Sequence, residues 1–100
     1  MEFKYTPELA EYIRKHSKKT LVIEMVDVNN TDLEITELHA YFVNDRLRDQ
    51  FVNKKRYRVF STELGEVLLP RFPLNVEDTV TLRLKTFLFF KHVTYEGIKV

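Results

Sequence analysis

The chain has 100 residues, a net charge of +1, 44% apolar and 13% aromatic side chains, which suits one packed domain, residues 1–100, around a single modest core. It has no cysteine and two glycines, which excludes disulfides, thiolate metal sites, cysteine-bound iron–sulfur clusters and thiol nucleophiles, and argues against glycine-rich phosphate loops. The first fifty residues carry seven basic and ten acidic side chains and the last fifty nine and five, an asymmetry short of the basic signature of a nucleic-acid binder.

"EFKYT" predicts a short first strand with Phe3 and Tyr5 on one face. A helix is expected over residues 7–17. Thr6 suits the N-cap, Pro7 the first helical position, Glu8 and Glu11 the positive end of the dipole, and Arg14, Lys15, Lys18 and Lys19 the negative end. Leu9, Tyr12, Ile13 and His16 recur at helical spacing as one buried stripe. From Thr20 the period changes. "TLVIEMVDV" is apolar on both faces, the pattern of a central strand covered twice.

After an asparagine loop, "LEITELHAYFVN" resumes, with Leu33, Ile35, Tyr41 and Val43 on one face and Leu38, Ala40 and Phe42 on the other. Residues 44–55 read as a polar connection with some helical or turn character, and 56–61 as a strand. "TELGEVLLPRFPL" holds two prolines and a glycine and so is no single regular element. Residues 78–90 give the cleanest strand, Val80, Leu82 and Leu84 alternating with Thr81, Arg83 and Lys85, and "HVTYEGIKV" reads as another short strand. The expected class is α+β, mostly β: one N-terminal helix packed on a mainly antiparallel sheet or small β-sandwich.

The opening "TPELAEYIRKHSKKTLVIEMVDV" resembles that of small HesB/IscA-like iron–sulfur-biosynthesis proteins, in which a first strand runs into a threonine- or serine-capped helix and a buried strand then ends in a glycine- and cysteine-bearing loop. The closing "VTLRLKTFLFFKHVTYEGIKV" is similar to the tail of small relatives that place adjacent cysteines after that strand. The resemblance implies a HesB-like domain. Where such relatives place their thiols this chain has Asn29 and Asn30, and no cysteine pair follows the last strand. Neutral amides are weak ligands for iron or zinc, so the resemblance implies a member without cluster chemistry and with no cofactor.

"MVDVNNTDLE" admits two readings. Asp27, Asn29, Asp32 and Glu34 are oxygen donors suited to a hard cation, but the glycine and the terminal acid of a calcium loop are missing. Alternatively, Asn29 and Asn30 form a tight hairpin turn, where asparagine tolerates left-handed backbone angles. The histidines, His16, His39 and His92, are far apart and read as partly buried structural residues. Ser17 and Ser61 lack a nucleophile-elbow context, and the chain is expected not to be an enzyme.

In "RLRDQFVNKKRYRVF", Arg46, Arg48, Lys54, Lys55, Arg56 and Arg58 interleave with Phe51, Tyr57 and Phe60. Nucleic-acid surfaces combine phosphate-pairing cations and stacking aromatics in this way. The plainer reading is a solvated strand face opposite a core face, diluted by Asp45 and Asp49. "FLFF" at 87–90 points to both faces of its strand, so either the helix or a second subunit covers it. That run is too short to span a bilayer, and "MEFKYTPELAEYIRK" lacks the apolar run of a signal peptide. The leading expectation is a cytoplasmic protein-interaction module, binding a protein partner or itself as a homodimer, without membrane association. A nucleic-acid module and a cation binder are the alternatives.

Overall fold

The structure is a computed structural model that describes the backbone of residues 1–30 and 33–100, and the side chains of these except 28–30 and 33–35. In chain order the elements are β1 (Glu2–Tyr5), α1 (Pro7–Lys15), β2 (Thr20–Asn30), β3 (Leu33–Val43), α2 (Asp45–Asn53), β4 (Arg58–Thr62), β5 (Gly65–Leu69), β6 (Asn75–Phe87) and β7 (Phe90–Lys99). They make two sheets, β1-β6-β7 and β3-β2-β5-β4. The class is α+β and mostly β, as expected. The ladders β2–β3, β4–β5 and β6–β7 are antiparallel, while β1–β6 and β2–β5 are parallel.

Strand β2 shows why its sequence is apolar on both faces. Leu21 and Ile23 point into the main core with Leu9 and Ile13 of α1, Leu38 of β3, Val67 and Leu69 of β5, and Val80, Leu82, Val93 and Ile98 of β6 and β7. Val22 points the other way, into a small second core with Leu68 and with Phe51 and Tyr57 around α2. Leu21, Val22, Ile23, Leu68 and Leu69 are all at most 2% exposed. The four-stranded sheet is therefore dry on both sides at its centre, and β-branched and leucine side chains fill it.

Several expectations are corrected. The polar connection of 44–55 is the helix α2, capped by Asn44, whose side chain accepts the Leu47 amide at 2.9 Å. One apolar face, centred on Phe51, was enough to hold it, so a mostly charged segment is helical. Helix α1 ends at Lys15 rather than residue 17, because Ser17 turns left-handed at φ 51° and the Lys18 amide returns to the Ile13 carbonyl at 3.1 Å. His16 leaves the buried stripe and is exposed, its ring 4.5 Å from that of Tyr12. Thr6 occupies the N-cap position without capping. Its amide still donates to the Leu82 carbonyl, extending the β1–β6 ladder, and its buried hydroxyl has no partner.

The strand expected at 56–61 runs over Arg58–Thr62, because Arg56 is left-handed at φ 56°. The irregular stretch after it contains β5, which starts at Gly65. A Cβ there would collide with the Lys19 carbonyl that the Glu66 amide binds, so only glycine lets β5 approach the start of β2. The single strand expected over 78–90 is two strands and a turn. β6 ends at Phe87, Leu88 turns at φ 56°, and β7 begins at Phe90. Asn29 and Asn30 are not the turn of the first long hairpin but the last residues of β2, paired with Glu34 and Leu33.

Candidate functional site

α2 runs down the outer face of the four-stranded sheet and delivers the chain to β4, one of the two edge strands of that sheet. Its last turn closes tightly: the Lys54 and Lys55 amides both donate to the Gln50 carbonyl, and the Tyr57 amide donates to that of Phe51. Tyr57 is thereby turned inward. Its ring meets Phe51 edge-on at 5.0 Å and its hydroxyl accepts the Met25 amide of β2 at 3.1 Å. Burial pushes the Tyr57 phenol above its ordinary range.

Between this turn and β4 lies a groove of about 890 Å³, lined by Val52, Asn53, Arg56, Tyr57, Arg58, Val59, Phe60 and Arg71. Tyr57 belongs to the small core and Phe60 packs on the main core. Residues from both faces of the sheet line one groove, so it wraps the open edge of β4. Val52, Val59 and Phe60 give it apolar surface, and its polar side chains are three guanidiniums, the Asn53 amide and the Tyr57 phenol. No lining residue is a carboxylate. Arg71 is fixed by its Nε, which donates to the Arg56 carbonyl at 2.8 Å. Arg58 lies over the Phe60 ring at 5.5 Å, a cation–π contact that leaves the guanidinium edge free to donate. Arg58, Arg71, Phe72 and Pro73 extend the groove, and Phe72 is 46% exposed.

The six cations singled out from the sequence separate into two groups. Arg48 grips Glu66 with two bonds, Nε–Oε2 at 3.0 Å and Nη2–Oε1 at 3.1 Å, and also meets Asp49 at 3.2 Å. Those bonds raise its pKa above the ordinary arginine value. Lys55 pairs with Glu24 at 3.1 Å and lies over Phe51 at 4.7 Å. Both are structural. Arg46 is in the first turn of α2, at the end away from the groove, and Lys54 caps the helix, exposed. Only Arg56 and Arg58 enter the groove, and neither has a carboxylate within ion-pair distance among the described residues. Arg71 went unnoticed in the sequence. The signal available was its position in "PRFP", where two prolines pin the backbone around it.

The other candidates gather no site. Of the cation-loop residues, Asp27 is exposed and accepts the Thr36 hydroxyl at 3.1 Å. Asn29 and Glu34 are cross-strand partners in the backbone ladder. Their side chains, and Asp32, lie outside the described residues. Among the described residues no three His, Asp or Glu side chains come within metal-holding range. His16, His39 and His92 are exposed instead of partly buried, and His39 pairs with Glu37 at 2.9 Å. Their strands and helix leave them on outer faces, where they contribute nothing to the core.

Comparison of the chain with family models, curated proteins and solved structures finds no match. The reading of function rests on the groove and on the fold that carries it.

Proposed function

We propose that this chain is a non-enzymatic protein-interaction domain of the cytosol, built like a HesB/IscA-like domain without thiolate ligands, and that the β4 edge takes an extended acidic segment of a partner protein. The order β1-α1-β2 with a proline-initiated helix supports the architectural part. One observation carries the functional part: three guanidiniums, from Arg56, Arg58 and Arg71, line a groove that also presents Val52, Val59 and Phe60 and holds no carboxylate. An edge strand offers unpaired backbone groups to an incoming strand, and pockets beside it select side chains. Here the selected side chains are anionic, because arginine forks match carboxylates in pairs. Two copies meeting through this groove would bring their guanidiniums together, so the partner differs from the chain itself.

A fluorescent twelve-residue peptide alternating Glu with Val and Phe serves as the probe, followed by anisotropy. Binding is expected to weaken steeply between 50 and 300 mM salt and to fall at least tenfold in Arg58→Glu, with the melting temperature unchanged. Equal binding by wild type and Arg58→Glu would end this reading. The exposed Phe72 ring beside Arg58 and Arg71 supports a second one, a single-stranded nucleic acid stacking a base there. A twelve-nucleotide oligo-dT that binds more tightly than the peptide, and loses that binding in Phe72→Ala, would replace the first reading by the second.

A further inference from the structure

The β6–β7 hairpin ends in an apolar tip. Phe87 is 67% exposed, Leu88 74%, Phe89 98% and Phe90 73%, and neither α1 nor any other described element covers them. Four consecutive large apolar side chains in water are unlike the scattered single ones of ordinary surfaces. The ladder sets what surrounds them. Phe87 faces Phe90, Thr86 faces Lys91, Lys85 faces His92 and Leu84 faces Val93. Directly opposed residues share a face, and faces alternate along the strand. Leu84 and Val93 turn toward the core, so Phe87, Phe90, Lys85 and His92 share the outer face. On the inner face Lys91 lies over the Tyr12 ring at 5.6 Å, above a cleft that holds Glu8, Glu11, Lys15 and His16. From Arg83 to Thr94 the hairpin carries no acidic residue.

We propose that this tip inserts into the surface of an anionic phospholipid bilayer. Three features select that occupant. The tip is convex, as a body that dips into lipid must be. Its phenylalanine and leucine side chains are of the type that interfacial segments bury at the headgroup–acyl boundary. The cations Lys85 and Lys91 stand one to two residues behind the phenylalanine row, about 3–7 Å at the usual strand rise. An interfacial segment buries its apolar part about 5–10 Å deep, so those cations come level with the lipid phosphates. A second copy is a poorer occupant: two tips meeting head-on would crowd the same lysines, and the groove beside β4 is itself arginine-lined. No described helix is long and apolar enough to cross a membrane, and a four-residue tip makes no such demand.

The experiment is sedimentation of the full chain with phosphatidylcholine vesicles, alone or with 30% phosphatidylserine. The proposal expects the chain to pellet with the phosphatidylserine vesicles, with at least tenfold weaker partitioning onto phosphatidylcholine alone. Phe87→Ser with Phe89→Ser is expected to lower partitioning at least tenfold. Lys85→Gln with Lys91→Gln is expected to lower it about twenty-five-fold, since each cation near an anionic surface contributes roughly a factor of five. All four side chains are exposed, so circular dichroism should show both variants folded. Absence of the wild type from both pellets overturns the proposal, as does equal partitioning onto the two vesicle types. A concentration-dependent dimer that the phenylalanine variant dissociates, without vesicle binding, overturns it in favour of a second copy.

Discussion

Replacing Tyr57 by Phe removes one oxygen atom and tests how the second core is fastened. β5 pairs with β2 only from Thr20 to Val22. Beyond that point this edge of β2 has no strand beside it among the described residues, and the Met25 amide donates to the Tyr57 hydroxyl at 3.1 Å. The tyrosine is 8% exposed, so water has little access to replace it. A buried donor left without a partner costs about 1–3 kcal/mol. Because Met25 itself is only half-buried, the lower half of that range applies, about 1–2 kcal/mol. The ring stays, and with it the edge-on contact to Phe51 at 5.0 Å. For a domain of this length each kcal/mol moves the melting temperature by about 4–8 °C. Urea denaturation of wild type, Tyr57→Phe and Tyr57→Ala should therefore rank them in that order, the alanine variant losing about 3–5 kcal/mol through the cavity it leaves. Amide exchange at Met25 should accelerate in Tyr57→Phe more than at its neighbours. A loss below about 0.3 kcal/mol in Tyr57→Phe, with Met25 exchange unchanged, would refute the claim that this bond holds α2 and its turn against β2.

The two helix starts should respond in opposite ways to loss of the polar side chain at the N-cap position. Asn44→Ala removes the acceptor of the Leu47 amide and is expected to cost about 1 kcal/mol, whereas Thr6→Val removes a buried hydroxyl that has no partner and should be neutral or stabilising in the same urea titration. Burial alone would raise the Glu24 carboxyl, but the hydrogen bonds from Tyr41 and Lys55 outweigh it and hold the pKa below its ordinary 4.5. A lowered carboxyl pKa contributes stability that is complete above 4.5 and is lost as pH falls from there through the folded-state value. Tyr41→Phe should flatten that acid limb in pH-dependent melting curves, and an unchanged limb would show that Tyr41 does not stabilise the carboxylate. Gly97, at φ 95° beside the irregular register between Val76 and Thr81, has no room for a Cβ against the Thr79 carbonyl; Gly97→Ala is expected to lose about 1–3 kcal/mol by thermal unfolding.

What the sequence disclosed followed from side-chain period. α1 and the double coverage of β2 were legible because Leu9 and Ile13 keep helical spacing and because Leu21, Val22 and Ile23 are apolar on consecutive positions. α2 was obscured because only Phe51 of its nine residues is buried, which leaves almost no periodic signal. The turn at Leu88 was obscured because turns are read from glycine, asparagine and proline, and this one is made of leucine and phenylalanine. The groove was half legible. Its cations Arg56 and Arg58 lie in the basic segment, but which cations are neutralised depends on Glu24 and Glu66, which come from other strands. Arg71 joins them only through tertiary folding.

The parallel pairing of β1 with β6 joins Phe3 to Val80. During translation at about 5–20 residues per second, the N-terminal strand waits roughly 4–15 s before its neighbour leaves the ribosome. Through that interval Phe3 and Tyr5, which later pack on the main core, have no strand to pair with. Strand β1 is thus paired only late in synthesis, and a nascent chain stalled before residue 75 would leave it open to proteases.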